Sequence, residues 1–138
     1  MTVNLETMKP GDVVAEEVFG PISREMLIAY AEASGDSNPL HLDRKVARKS
    51  GFDDVIVHGM LGMALLGNLL TNAFPTNSLN RFSSRFVSIM PVASKIECRA
   101  ELVEISATAA VLKLEASIYG TDKTVITGSA DISLPVAH

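Results

Sequence analysis

Three polar residues that could do chemistry, Asp36, Asn38 and His41, lie close together in a turn-rich segment of the chain. Pro39 fixes its own φ and pushes the preceding residue out of the α region, so a continuous helix is not expected here. The carboxylate and the imidazole can therefore converge on one small molecule across a bent loop. The pKa of a histidine is near neutrality and burial can raise that of an aspartate from about 3.9, so the two groups could share proton transfer.

The same loop has a plainer interpretation. Gly-Asp, Ser-Asn and Asn-Pro pairs are typical of turns, so Asp36 and Asn38 could serve only to cap and turn the chain while His41 satisfies a local backbone group. In the catalytic interpretation Asn38 instead orients a water or the Asp36 carboxylate. These residues alone leave both interpretations open.

A second element, IVHGML at residues 56–61, supports the catalytic interpretation. Gly59 lies where a short apolar run gives way to a long apolar segment with helical character. If a helix begins near Gly59, its free N–H groups and its dipole form a site for a developing oxyanion. His58 would lie beside that site, although a histidine at a helix start can equally be an ordinary hydrogen-bonded residue.

The segments GDSNPLHLD and IVHGML resemble the hydratase motif of the R-specific enoyl-CoA hydratases, in the MaoC-like dehydratase family. The pattern D-x-N-P-x-H is matched at every defined position, and the HG helix start follows at about the family's distance. The resemblance covers essentially the whole chain. It implies an α+β hot-dog domain over residues 1–138, in which a curved antiparallel sheet wraps a long central helix, and it implies a homodimer.

The resemblance also implies roles for individual residues. Asp36 and His41 would be the catalytic pair. Asp36 would act as the base on water, and His41 would supply the proton to the α-carbon. The Gly59 amide would donate to the oxygen of a thioester carbonyl. The residues expected to contact the substrate are Asn38, His58, Gly59 and Met60. Met60 and its neighbours on the helix could line an acyl tunnel, or they could be plain core.

The reaction implied is addition of water to a trans-2-enoyl thioester to give an R-3-hydroxyacyl thioester, or the reverse dehydration. The thioester would be carried by coenzyme A or by an acyl carrier protein, and no redox cofactor is expected because no electrons leave the substrate. Two alternatives stay open: a non-catalytic acyl-binding subunit of a heteromeric dehydratase, and a hot-dog thioesterase. The intact Asp36 and His41 pair argues against the first, and hydrolysis does not call for the D-x-N-P-x-H loop.

One position departs from the family pattern. Family members often carry a serine about two turns into the central helix, where this chain has Gly67. The departure leaves one hydrogen bond to the site for Asn68 or a water to provide. It bears on rate and substrate shape more than on the class of reaction.

Composition fits such an enzyme. The 138 residues suit one domain, and a formal net charge of -4 gives no reason to expect nucleic acid binding. The single cysteine, Cys98, is expected to be a buried strand thiol in a reducing, cytoplasmic compartment. No Cys or His pair stands at a usual zinc spacing and His138 is expected in solvent, so no metal is predicted. The N-terminus lacks the features of a signal peptide.

The only basic cluster follows His41 directly. Its residues could meet the phosphates of coenzyme A or an acidic carrier protein, or they could be a solvated face; Arg81 and Arg85 are a weaker candidate on a later strand. The cluster comprises Arg44, Lys45, Arg48 and Lys49.

The elements that must position these residues can be predicted from patterning. A strand is expected over 12–19, a helix capped by Ser23 through about Ala33, a short helix capped by Asp43, and the central helix over 59–74. The central helix, at roughly 24 Å, is short for a membrane span, and Gly59, Gly62 and Gly67 would let a sheet pack closely against it. Four strands paired as a meander are expected over 81–89, 95–105, 109–119 and 124–134.

Overall fold

Five strands and three helices account for the regular structure of the protein, for which a computed structural model describes residues 3–135. The expectation for His138 falls outside these residues. The strands are β1 (Val13–Phe19), β2 (Leu79–Phe86), β3 (Ile96–Ile105), β4 (Ala109–Ile118) and β5 (Thr124–Ser133). The helices are α1 (Arg24–Ser34), α2 (Arg44–Lys49) and α3 (Gly59–Ala73), with short 3-10 turns at Pro39–His41 and Thr76–Ser78.

The five strands form one antiparallel sheet in the order β1-β3-β4-β5-β2. Alternate residues of the inner strands are buried, as the side-chain period of two requires when one face of a sheet is covered. Helix α3 packs on that face and contacts β1 to β4. The α+β hot-dog fold predicted from the sequence is therefore confirmed, with α3 as the central helix.

The predicted four-strand meander is wrong. Only β3, β4 and β5 pair in sequence order, whereas β2 pairs with β5 at one edge and β1 pairs with β3 at the other. The segment 87–95 between β2 and β3 is too long for a tight hairpin, and it is bonded to residues 56–57 instead. The Val57 amide donates to the Met90 carbonyl at 2.8 Å, and Pro91 forms an isolated bridge with Ile56. This crossover places β3 three positions away from β2.

The helix starts follow the predicted capping chemistry. The Ser23 hydroxyl accepts from the amide of Met26 at 3.2 Å, and the Asp43 carboxylate accepts from the amide of Lys45 at 2.9 Å. Helix α3 has no side-chain cap, and six of its 15 residues are buried. Within residues 3–135, none of the helices has the length and hydropathy that crossing a bilayer would need.

Two glycines of α3 permit the close approach of neighbouring side chains. A β-carbon at Gly62 would lie 2.6 Å from Cδ1 of Ile126, and one at Gly59 would lie 3.1 Å from the ring of Phe86. At Gly67 the nearest atom would be Phe82 Cε2 at 3.5 Å, an ordinary van der Waals distance. The predicted close packing is thus found at Gly59 and Gly62, whereas Gly67 has room for a β-carbon.

Candidate active site

The loop that carries Asp36 and His41 is shaped by its own polar side chains. Oδ1 of Asp36 accepts from the amide of Asn38 at 3.2 Å, and Oδ1 of Asn38 accepts from the amide of Leu40 at 3.0 Å. These bonds form an Asx turn and cap the 3-10 turn at Pro39–His41. Asp36 and Asn38 therefore form a turn, whether or not they also act in catalysis, and the turn directs His41 toward Asp36.

His41 is held by a distant backbone group rather than a local one. Its Nδ1 lies 2.7 Å from the carbonyl oxygen of Ile56. A carbonyl can only accept, so Nδ1 carries the proton and Nε2 is the nitrogen that faces Asp36. Nε2 lies 4.0 Å from Oδ2 of Asp36. The two side chains differ in exposure, 11% for His41 and 47% for Asp36, so the carboxylate is the group open to solvent.

His58 lies behind this pair and is completely buried. Its Nε2 donates to the backbone carbonyl of Asp36 at 3.1 Å. Its ring stacks on the ring of His41, with centroids 3.9 Å apart and planes 22° apart, and also meets Tyr30 of α1 at 4.8 Å. Burial lowers the pKa of His58, and the neighbouring His41 lowers it further, against opposing effects of the hydrogen bond to Asp36 and of that carboxylate's charge.

Helix α3 begins immediately after His58. The His58 carbonyl accepts from the amides of Leu61 and Gly62, at 3.0 and 3.3 Å. The N–H groups of Gly59 and Met60, at the first two helical positions, have no acceptor within the helix and are available to an anionic oxygen. Met60 is 53% exposed, so its side chain extends from the helix start rather than into the core.

Phe86 is a site neighbour that the sequence did not single out. Its ring covers Gly59 closely enough that an added β-carbon would meet three ring carbons at 3.1 to 3.3 Å, yet half of its surface is exposed. The only sequence signal for Phe86 is its place within the strand predicted over 81–89. Tyr30 lies on α1, and nothing in the sequence connects it with His58.

The predicted substitute for the family serine is not joined to the pair. Gly67 is partly buried and Asn68 is exposed on α3. Among residues 3–135, no hydrogen bond connects the Asn68 side chain with Asp36 or His41. A water is the alternative left for this role.

Asp36, His41 and His58 form a group whose potential metal-ligating atoms lie within 4.8 Å of one another. Zinc binds in the plane of an imidazole at about 2.0–2.1 Å from the nitrogen. The two imidazoles here share a face, so their in-plane lone pairs do not converge on one point. The geometry suits a stacked pair better than a metal centre, and the absence of a metal stays a prediction.

The basic cluster after His41 is partly neutralised by acidic neighbours. Arg44 and Arg48 line an open cleft of about 580 Å³ together with Asp53 and Asp54. Asp54 pairs with Arg24 and, at 4.0 Å, with Arg44. The Val55 amide foremost, with the two arginines, holds the pKa of the Asp54 carboxyl below its usual value. Contact of the cluster with a phosphate or carrier protein stays a prediction.

Comparison with known proteins places this geometry in a family. Residues 6–123 match the MaoC like domain. Over 69 residues the chain is 46% identical to the mitochondrial 3-hydroxyacyl-[acyl-carrier-protein] dehydratase of Arabidopsis thaliana. The aligned region covers 49% of this chain and 40% of that protein. The chain thus spans less than half the length of this plant relative.

A bacterial hydratase is similar over most of both chains. The (R)-specific enoyl-CoA hydratase of Aeromonas caviae is 29% identical over 110 residues, which cover 78% of this chain and 82% of that protein. The solved structure of the (R)-hydratase from A. caviae involved in PHA biosynthesis has a TM-score of 0.82 at 27% identity, covering 94% of this chain and 99% of that one. With the family match spanning most of its length, the chain belongs to the MaoC-like domain family.

Proposed function

We propose that the protein interconverts trans-2-enoyl thioesters and R-3-hydroxyacyl thioesters by adding or removing water. The observation that carries the proposal is the placement of Oδ2 of Asp36 and Nε2 of His41 at 4.0 Å, beside the free N-terminus of α3. The similar A. caviae protein is named an (R)-specific enoyl-CoA hydratase, which supports both the reaction class and its stereochemistry.

The pair can complete hydration with balanced proton transfer. It starts with Asp36 ionised and His41 protonated on both nitrogens, the Nδ1 proton being held by the Ile56 carbonyl. Asp36 removes one proton from a water as the water oxygen bonds to the β-carbon. His41 then delivers the Nε2 proton to the α-carbon. A second water that enters the 4.0 Å gap then relays the proton from Asp36 to His41 and restores the starting state.

The helix start supplies the electrostatic part of the reaction. Addition at the β-carbon places negative charge on the thioester carbonyl oxygen, forming an enolate. The Gly59 amide can donate to that oxygen, and the dipole of α3 favours the negative charge. The exposed parts of Met60 and Phe86 provide apolar surface for the acyl chain at the same place.

The proposal includes no redox cofactor, since water addition changes no overall oxidation state, and no metal, since the stacked imidazoles of His41 and His58 do not converge on one point. The carrier of the acyl group is coenzyme A or an acyl carrier protein; the names of the similar proteins include both kinds of thioester. A cytoplasmic location stays a prediction from the sequence.

We also propose a homodimer. Strand β2 lies at one edge of the sheet, with only β5 as a hydrogen-bonded neighbour. Beside that edge, Phe86, Val87 and Ile89 are 50%, 48% and 37% exposed. Such apolar exposure along an edge strand favours association with a second copy. Light scattering during size-exclusion chromatography should give about twice the mass of the chain.

The test is loss of the enoyl-thioester absorbance with crotonyl-CoA and longer trans-2-enoyl-CoAs, with free thiol measured in parallel. The proposal predicts rapid loss without thiol release, and a product that an R-3-hydroxyacyl-specific dehydrogenase oxidises. Thiol release would identify a thioesterase instead. Absence of turnover with both coenzyme A and carrier-protein substrates by the folded protein would contradict the proposal and favour a non-catalytic subunit.

A further inference from the structure

We propose that His58 is a positioning residue, which supports the Asp36 main chain through one hydrogen bond and His41 through ring stacking, and which does not touch the substrate. The inference rests on the proposed function of the Asp36 and His41 pair. It revises the sequence-based grouping of His58 with the substrate-contacting residues, because the side chain has no accessible surface.

The hydrogen bond connects two parts of the chain that are 22 residues apart. Nε2 of His58 donates to the carbonyl of Asp36 at 3.1 Å, while the Asp36 side chain is turned toward its own loop and His41. Residues 34–38 are otherwise held by short-range bonds, whereas the later part of the loop is joined to Ile56 through the Leu40 carbonyl and the His41 ring. His58 therefore anchors the catalytic carboxylate's backbone to the N-terminus of α3.

The stacked arrangement fixes the face of His41. Its ring is held at the edge by the Ile56 carbonyl and on one side by His58 at 3.9 Å. His58 in turn meets Tyr30 of α1 at 4.8 Å. Because these contacts restrict movement of the His41 ring, its Nε2 stays directed at Asp36.

This role requires a neutral His58 in one tautomer. The Asp36 carbonyl can only accept, so Nε2 carries the proton and Nδ1 carries a lone pair. Nδ1 is buried and has no hydrogen-bond partner among residues 3–135. A second proton there would find no acceptor and would place a cation beside His41, and burial accordingly lowers the pKa of His58. The groups facing it are Asp36, His41 and Tyr30.

Two substitutions separate the hydrogen bond from the stacking. His58→Phe keeps an aromatic ring and removes the donor, leaving the Asp36 carbonyl without its partner. His58→Gln can place an amide N–H near the position of Nε2 and removes the ring. If the hydrogen bond positions Asp36, kcat of His58→Phe should fall by about tenfold or more while KM changes by less than about threefold. Because His58→Gln keeps a donor but loses the ring that stacks on His41, it should recover kcat only in part.

A purely structural role would give a different result. Both variants would then have lower melting temperatures, but kcat per folded molecule would stay at the wild-type value. That outcome, or a KM effect without a kcat effect, would overturn the proposal. The folded fraction of each variant is measured by circular dichroism, and kcat is calculated from the concentration of folded protein. The comparison is then valid for a destabilised variant.

A second measurement needs neither a variant nor turnover. In ¹⁵N-histidine NMR of the wild type, His58 should show a protonated Nε2 and a bare Nδ1, and should gain its second proton only at a pH below the usual histidine pKa of about 6.5. Titration near that usual value, or the opposite tautomer, would overturn the proposal. If the NMR result is as expected but no thioester is hydrated, the proposed function fails while the arrangement of His58 stands. If hydration is present and kcat of His58→Phe is unchanged, the proposed function stands and the positioning role of His58 fails.

Discussion

Oδ2 of Asp36 lies 4.0 Å from Nε2 of His41, a separation too long for a direct hydrogen bond. A water oxygen about 2.8 Å from each atom can bridge them, donating to Oδ2 of Asp36 and accepting from Nε2 of His41. The gap therefore has the dimensions of a site for one water. In the proposed reaction this is the water that adds to the enoyl thioester.

Substitution of Gly59 should affect activity more than stability. A β-carbon there would lie 3.1 Å from the Phe86 ring, so Gly59→Ala should displace either the ring or the amide by a few tenths of an ångström. We expect kcat/KM to fall by about tenfold or more, with a change of less than about 1 kcal/mol in the free energy of unfolding. Adding Phe86→Leu should restore part of the activity. A Gly59→Ala variant as active as the wild type would argue against the amide's role.

Gly62 and Gly67 form a matched pair for packing. Gly62→Ala would put a methyl group 2.6 Å from Cδ1 of Ile126 and 2.7 Å from Cε of Met90, so the ends of both side chains must shift and the gain in helix propensity should be cancelled or outweighed, by up to about 2 kcal/mol. Gly67→Ala meets nothing closer than 3.5 Å and should gain up to about 1 kcal/mol from helix propensity. Urea unfolding of both variants checks the signs. Equal effects would contradict the close approach at Gly62.

Acid should destabilise the protein through His58. Its pKa is lowered in the folded state, chiefly by burial, so below about pH 6.5 the unfolded chain binds a proton that the folded chain does not. The free energy of unfolding should therefore fall as the pH falls from about 6.5 to 5.5, by at most about 1.4 kcal/mol per pH unit from this residue. Urea unfolding of the wild type and His58→Gln over this range should show a weaker dependence in the variant. Identical slopes would count against a buried neutral His58.

Cys98 should be inert in the folded protein. Burial foremost, and then the charges of Glu17 and Glu97, raise the pKa of its thiol to about 12. Since the thiolate is the reactive form, an aromatic disulfide reagent should not react at pH 8 until denaturant is added. The unfolded thiol ionises at lower pH than the folded one, so the free energy of unfolding should also fall between about pH 9 and 12. Rapid reaction without denaturant would show that the strand is not closed over the thiol.

Local features of the fold could be predicted because local chemistry determines them. Ser23 and Asp43 cap the helices that follow them, and no continuous helix runs through Pro39, which begins a 3-10 turn. The start of α3 at Gly59 follows from the change in patterning. The burial of Cys98 likewise follows from the alternating pattern of its strand.

The remaining features depend on contacts between distant residues. Strands β2 and β5 pair although two strands lie between them in the sequence, because the crossover through Met90 and Pro91 packs beside residues 56–57. The hydrogen bond between His58 and the Asp36 carbonyl joins residues 22 positions apart, and no sequence pattern indicates such a contact. The motif could therefore indicate which residues form the site, but not that His58 lies behind the pair.

The most direct test compares Asp36→Asn and His41→Ala with Asp43→Asn in the hydration of a trans-2-enoyl thioester. Asp43 lies in the same segment but only caps α2, a role that asparagine also fills. The proposed mechanism predicts that kcat/KM falls by about two orders of magnitude or more in each of the first two variants and stays near the wild-type value in Asp43→Asn. Folded Asp36→Asn or His41→Ala that hydrates the substrate at the wild-type rate would contradict the assignment of this pair.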